Sequence, residues 1–259
     1  MFAAERRQVI VELVRSNGAV SLRELARIVQ ASEVTVRRDL RQLAAEGVLA
    51  RRHGGAVATS RTSYEPSCTE KAKVAGAQKE AIAALAAELV SPGDSVALGP
   101  GTTTQALAKR LVRTGELTVV TNSLLVAQII AQAPGVEVLM PGGTLRASIF
   151  ATVGSAAEAG LSQLRVRHAF LSGNGLTAAR GLSTPNPAVA GADRALAAAA
   201  ERVVVLADST KIGADAMVQT IPPARIHRLV TDDAADPAEL DGLRAAGAEI
   251  ELAAVAANG

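Results

Sequence analysis

The sequence predicts an α/β chain in two parts, a small and mainly helical unit over residues 1–57 and a mostly parallel α/β unit over residues 76–259, joined by a linker at 58–75. Three observations carry this. Apolar positions at helical spacing, bracketed by capping residues, fill the N-terminal stretch. Beyond the linker, short β-rich runs alternate with Ala-rich helical segments, as in a parallel sheet covered on both faces. Charge divides along the same line: residues 1–57 hold ten arginines, no lysine and six acidic residues, a net +4, and the remainder holds 17 basic and 19 acidic residues, a net −2. A basic N-terminal unit is the electrostatic footprint of a domain that meets phosphate backbone, although on charge alone a solvated charged face is an equal reading.

Composition excludes several classes. A chain of 259 residues, 49% hydrophobic, can bury a large core. No apolar run approaches the roughly 18 uncharged residues of a membrane span. Glu5, Arg6, Arg7, Glu12 and Arg15 occupy the place of a signal sequence, so a soluble cytoplasmic protein without membrane association is expected. Cys68 is the single cysteine, and His53, His168 and His227 are too scattered for ligand spacing, so neither a metal nor another cofactor is expected.

The elements follow in order. A first helix is predicted over residues 3–16, with Ile10, Leu13 and Val14 on one face and Asn17-Gly18 as its left-handed stop. Ser21 and Glu24 in SLRE form a capping box before Leu25, Ala26, Ile28 and Val29, and that helix ends near Gln30. Ser32 caps a third helix, whose Val36, Leu40 and Leu43 fall at i, i+4 and i+7 and which Gly47 closes. Two short helices so close together form a helix-turn-helix, and the second would present Ser32, Glu33 and Thr35 to base edges in the major groove. Arg37, Arg38 and Arg41 lie off the apolar stripe, free to reach phosphates or a guanine edge. VLARRHGGAVAT then reads as a strand pair turning at His53, a wing that touches the DNA backbone through Arg51 and Arg52. Ser21 completes the expected DNA-contacting set. A protein-binding winged helix is the alternative that pattern alone leaves open.

The stretch SEVTVRRDLRQLAAEGVLARRHGGAV closely resembles the signature of the DeoR/GlpR family of bacterial transcriptional regulators, a helix reading S-x-x-T-[IV]-R-R-D-L followed by a basic wing ending in H-G-G-A. It departs at Ala31, where the family usually has valine.

After the linker, with Arg61, Tyr64 and Pro66, a helix is predicted over 78–89, then the turn SPGD and the strand-like runs SVALG, LTVVTN, VEVLMPGG, HAFLSGNG, VVVLADSTK, RLVTDD and EIELAAV. In open α/β sheets a ligand binds outside the carboxyl ends of the strands. Five junctions place polar residues there: LGPGTTT, VVTNS, LMPGG, LSGNG and LADSTK. Any one of them reads as ordinary punctuation, with Thr102 or Ser209 capping a helix, but five in succession point to a site. In LGPGTTTQAL the backbone amides of a helix start, aided by the helix dipole, favour an anion.

KEAIAALAAELVSPGDSVAL, GTTT, LTVVTNS, PGG and ADSTKIG are similar to the effector domain of the same family, a Rossmann-like sensor domain similar to ribose-5-phosphate isomerase and glucosamine-6-phosphate deaminase. The resemblance implies that Gly101, Thr102, Thr103 and Thr104 cradle a phosphate. It implies further that Thr121 and Asn122 line the pocket, with Gly142, Gly143 and Asn174 on neighbouring loops, and that Asp208 and Lys211 hold ligand hydroxyls or charge. Gly99-Pro100 stands where the family usually has an acidic residue and a small one, and GLSTPNPAVAGADRAL lacks the glutamate often found near Asn186. The implied function is a repressor of carbohydrate or polyol catabolism genes, a homodimer or homotetramer released from double-stranded operator DNA by a phosphorylated sugar or polyol, with no catalytic residues. A sugar-phosphate isomerase or deaminase with an appended DNA-binding domain is the alternative, in which Asp208 would be the base. Loss of the acid at Gly99 and the lack of a histidine near these loops weigh against it. In a third reading the C-terminal unit serves only to oligomerise.

Overall fold

The computed structural model describes residues 2–17, 19–46, 48–52, 54–57 and 65–255. The chain divides into two units, Met1–Tyr64 and Glu65–Gly259.

The first unit runs α1 (Ala3–Asn17), β1 (Ala19–Ser21), α2 (Leu22–Ile28), α3 (Glu33–Ala45), β2 (Ala50–Arg52) and β3 (Gly55–Val57). Both expected caps form: the Glu24 N–H donates to Ser21 Oγ and the Thr35 N–H to Ser32 Oγ, each at 3.2 Å. Between α2 and α3 Gln30 takes a left-handed φ of 50°, and the Ala31 N–H closes back onto the Ala26 carbonyl at 3.1 Å. That closure satisfies an orphan carbonyl at the end of α2 and turns the chain into α3. Ile10, Val14, Leu25, Val29, Val36, Leu40 and Leu43 are buried together, each contributing about 1.5–3 kcal/mol by leaving water. Arg6 Nε donates to Asp39 Oδ2 at 2.6 Å and so ties α1 to α3 across the core's edge. The strands form an antiparallel sheet in the order β1-β3-β2. Gly54 turns with φ 87°, and a Cβ on Gly55 would stand 2.3 Å from the Val20 carbonyl oxygen, which accounts for both glycines of HGG.

The second unit opens with α4 (Cys68–Ala72), α5 (Gly76–Ala87), β4 (Ser95–Leu98), α6 (Thr102–Leu111), β5 (Leu117–Thr121), α7 (Leu124–Ile130) and β6 (Val136–Leu139). It continues with β7 (Thr144–Arg146), β8 (Ala151–Val153), α8 (Ser155–Ser162), β9 (Val166–Leu171), β10 (Gly175–Thr177), β11 (Gly181–Thr184), α9 (Pro187–Ala199) and β12 (Ala200–Leu206). A short 3-10 turn (Ser209–Lys211), β13 (Val218–Ile221), β14 (Arg228–Asp232), α10 (Pro237–Ala245) and β15 (Glu249–Ala253) complete it. Seven strands form one sheet in the order β15-β14-β12-β9-β4-β5-β6, with every pairing parallel. Successive side chains of β9 point to opposite faces: Phe170 joins a core with Ile82, Leu107 and Val119, and Leu171 joins one with Leu161, Leu196 and Val205. The chain lays down β4, β5 and β6 in one direction and β9, β12, β14 and β15 in the other. The order therefore reverses between β4 and β9, where loops at the carboxyl ends diverge and leave a crevice.

The linker expected over 58–75 is in part something else. Residues 58–64 lie outside the described residues, but 65–75 belong to the second unit and contain α4. A complete capping box joins Ser67 and Glu70. The Cys68 N–H donates to the Ser148 carbonyl at 3.0 Å, and Glu65 Oε2 accepts from Arg146 Nε at 2.6 Å and Ser148 Oγ at 3.1 Å. Polar contacts with residues some eighty positions away hold a segment that has little apolar surface of its own.

Candidate functional site

A pocket opens at the reversal between β4 and β9, lined by residues 100–103 after β4, Ser172, Gly173 and Asn174 after β9, and Asp208 and Lys211 after β12. Its wall is completed by Glu65, Cys68 and Lys71 at α4, Lys79 on α5, Thr184, and Val189 and Asp193 on α9. Gly101, the N-cap of α6, has no side chain with which to cap the helix, so no N-cap side chain satisfies the first-turn amides at the positive end of the helix dipole. Thr104 turns inward instead, its Oγ1 donating to the Gly101 carbonyl at 2.9 Å.

Three lysines line the same pocket as this helix end. Lys79 is buried, and its Nζ donates to the carbonyls of Lys71 at 2.6 Å and Val74 at 2.5 Å, satisfying the end of α4. Burial pushes its pKa down, opposed by the charge of Asp208. Half-buried Lys71 reaches Asn174 Oδ1 at 3.5 Å. Its pKa is also lowered, first by burial and then by the like charge of Lys211, with Glu65 acting the other way. Lys211 stands at the end of the 3-10 turn, which Asp208 caps by accepting from the Thr210 N–H at 3.2 Å and from the Thr210 hydroxyl. Asp193 is buried, its Oδ1 has no hydrogen-bond partner among the described residues, and burial pushes its carboxyl up to about 7 against the pull of Lys71 and Arg194. A pocket floored by a helix N-terminus, lined by three lysines, three carboxyl side chains (Glu65, Asp193 and Asp208) and an amide, suits an anion that also carries hydroxyls.

Of the residues singled out in the sequence, the pocket brings together Gly101, Thr102, Thr103, Asn174, Asp208 and Lys211. Thr104, Thr121, Asn122, Gly142 and Gly143 are not in its lining. Thr121 Oγ1 donates to the Leu98 carbonyl at 2.6 Å and Asn122 Nδ2 to the Thr152 carbonyl at 2.9 Å, so both knit β5 to its neighbours. Gly142 and Gly143 follow β6, two strands beyond β4. At Gly143 φ is 144° and a Cβ would stand 2.8 Å from the Val153 carbonyl oxygen, so that glycine serves a close backbone approach. Sequence reasoning missed Glu65, Lys71, Lys79, Ser172 and Asp193. Two signals were available: S-C-T-E over 67–70 is a capping box, and Asp193 interrupts the apolar face of α9 between Val189 and Leu196.

On the first unit, Ser32, Glu33, Arg37, Arg38 and Arg41 are exposed on α3, opposite its buried stripe. The Ser32 and Thr35 hydroxyls lie 2.8 Å apart, so the two polar residues at the helix start also cap it. Val34, 75% exposed in the first turn, adds an apolar side chain that the sequence reading did not single out. Arg7, Thr35, Arg38, Arg41 and Gln42 line a shallow groove between α1 and α3. Ser21 Oγ is occupied in capping, Arg51 and Arg52 lie on β2, and His53 falls outside the described residues. Among the described residues no group of His, Cys, Asp or Glu could hold a metal ion, and no helix is long and apolar enough to cross a membrane.

Residues 6–62 match the model of the DeoR-like helix-turn-helix domain, and residues 75–233 that of the DeoR C terminal sensor domain. The HTH-type transcriptional regulator GlpR of Haloferax volcanii is 34% identical over 96% of this chain and 98% of its own. The lactose phosphotransferase system repressor of Streptococcus mutans is 34% identical over 88% of this chain and 91% of its own. Among solved structures, ribose 5-phosphate isomerase A from Methanocaldococcus jannaschii overlaps 52% of this chain and 53% of its own, at 18% identity and a TM-score of 0.39.

Proposed function

The chain belongs to the DeoR/GlpR family of DNA-binding transcriptional regulators, and from that premise we propose that its pocket binds a phosphorylated sugar or polyol that releases the protein from operator DNA. It is a transcriptional regulator of the repressor type and not an enzyme, with operator DNA and a small-molecule effector as partners. The observation that carries the effector reading is the N-terminus of α6, without a side-chain cap and opening into a pocket that holds Lys71, Lys79 and Lys211. A phosphate ester brings about two negative charges and several acceptor oxygens. Each hydrogen bond to such a charged group is worth about 1.5–3 kcal/mol. Gly101, Thr102 and Thr103 hold the phosphate, Lys211 neutralises it, and Lys71, Asn174 and Asp208 face the hydroxylated remainder. The genes controlled are those for use of a carbohydrate or polyol.

On DNA, the first turn of α3 enters the major groove. Ser32, Glu33 and Thr35 stand at the base edges, Arg37, Arg38 and Arg41 meet phosphates, and Ser21 and the wing residues Arg51, Arg52 and His53 rest on the backbone. A homodimer or homotetramer binds half-sites spaced by whole helical turns. Effector releases it because it binds more tightly to the protein state that DNA does not favour. Titration of a panel of sugar and polyol phosphates into preformed operator complexes, followed by fluorescence anisotropy, tests this. One or more members should release the DNA and be recovered chemically unchanged by NMR. Failure of every phosphorylated compound to bind or release would end the effector reading.

A further inference from the structure

Asp193 occupies a position in α9 where helical spacing calls for an apolar residue. Val189, four residues before it, and Leu196, three after, are both buried, and so is Asp193 itself at 2% exposure. The other acidic side chains of the pocket are engaged: Glu65 accepts from Arg146 and Ser148, and Asp208 accepts from Thr210. Asp193 Oδ1 alone among them lies in the pocket wall with no hydrogen-bond partner among the described residues. An unpartnered buried carboxyl is costly, and a ligand group that donates to it recovers that cost on binding.

We infer that Asp193 is the specificity-determining residue of this pocket, accepting a hydrogen bond from a sugar hydroxyl on the part of the effector beyond its phosphate. The assignment rests on the reading of the pocket as a phosphate-ester site. A fully ionised phosphate oxygen has no proton to give the unpartnered Asp193 Oδ1. A hydroxyl both donates and accepts, and the wall supplies both halves: the Asp193 carboxyl accepts, and Lys71, whose charge acts on that carboxyl from α4, donates. The pocket thus divides its labour. The helix end with Lys211 binds any phosphate, and Asp193 sets how much tighter a hydroxylated ester binds than phosphate alone.

Calorimetric titration of the full chain with inorganic phosphate, glycerol 3-phosphate, ribose 5-phosphate, fructose 6-phosphate and glucose 6-phosphate tests this. For wild type, at least one sugar phosphate should bind more tightly than inorganic phosphate. In Asp193→Leu that preference should shrink by roughly 10-fold or more, with inorganic phosphate bound as well as before. Asp193→Asn keeps the side chain's size and an acceptor oxygen and, freed of a buried carboxyl, should unfold at or above the wild-type temperature while keeping more of the preference than Asp193→Leu, which separates recognition from folding. An unchanged preference in both variants would overturn the role of Asp193 and leave phosphate binding standing. Wild type that binds neither phosphate nor any ester would overturn the underlying reading and this inference with it.

Discussion

The face of α3 proposed to read DNA and the pocket at the β4–β9 reversal both carry charged side chains, but they hold them in opposite physical settings. Arg37, Arg38 and Arg41 stand in water on a helix whose other side is buried, so folding removes little of their hydration. Lys79 and Asp193 have been taken out of water, with Lys71 half-way, before any ligand arrives. The first arrangement costs the fold little and binds by long-range attraction that salt screens. The second lowers the stability of the empty protein and makes the ligand the missing partner. Substitutions on α3 should therefore change affinity without changing stability, and substitutions in the pocket should change both.

The largest effect should come from the one place where the first unit departs from that contrast. Asp39 is buried and paired with Arg6, so Asp39→Ala leaves a guanidinium in the core's edge without its partner. A loss of about 3–5 kcal/mol is expected, read by urea denaturation, together with loss of operator binding. A loss below about 1 kcal/mol would mean that the pair behaves as a surface ion pair. Next in size, Lys211→Ala and Thr103→Val should bind operator normally but need roughly 10- to 150-fold more effector for half-release, the equivalent of one hydrogen bond to a charged group. Unshifted release curves for both, with folding intact, would move the phosphate away from α6.

Asp193 provides a sharper test through pH. Its folded pKa is raised from 3.8 to about 7, so the folded protein holds a proton that the unfolded chain has released. The stability it confers is complete below pH 3.8 and is lost as pH rises to about 7, at up to about 1.4 kcal/mol per pH unit. Asp193→Asn should flatten this part of the curve of unfolding free energy against pH, and an equal slope in both proteins would place the proton elsewhere. The smallest effect belongs to α3: Arg38→Ala should lower the slope of log affinity against log salt by about 0.9 and leave the unfolding temperature unchanged. An unaltered slope would take Arg38 off the DNA backbone.

The features legible in the sequence were those written in local periodicity. Ser21 and Ser32 announce two helix starts because a cap and its partner amide are three residues apart, and the parallel strands announce themselves as apolar runs, five of which lead into Gly, Thr, Asn, Asp or Lys. The family resemblance led to the GTTT and ADSTK loops, and these do meet in one pocket. Strand order was not written locally, and so VVTNS and PGG looked equivalent to GTTT although they lie one and two strands beyond β4 on the side away from the reversal. The reading of 58–75 as a linker failed over residues 65–75 for a related reason. Cys68 is the only side chain of α4 that is fully buried, and the partners that hold the segment, Arg146 and Ser148, are far along the chain. Lys71 and Asp193 are individually unremarkable letters, and they become a site only when α4 and α9 face one pocket.

The contacts of α4 also set an order of events during synthesis. Among the described residues, every buried member of the helix-turn-helix core lies between Ile10 and Ala56. Glu65 must wait for Arg146, 81 positions later, which at about 5–20 residues per second is roughly 4–16 s of translation. Asp193 and Lys211 follow later still. Each nascent chain therefore holds the residues of its helix-turn-helix core before those that line the pocket have been made.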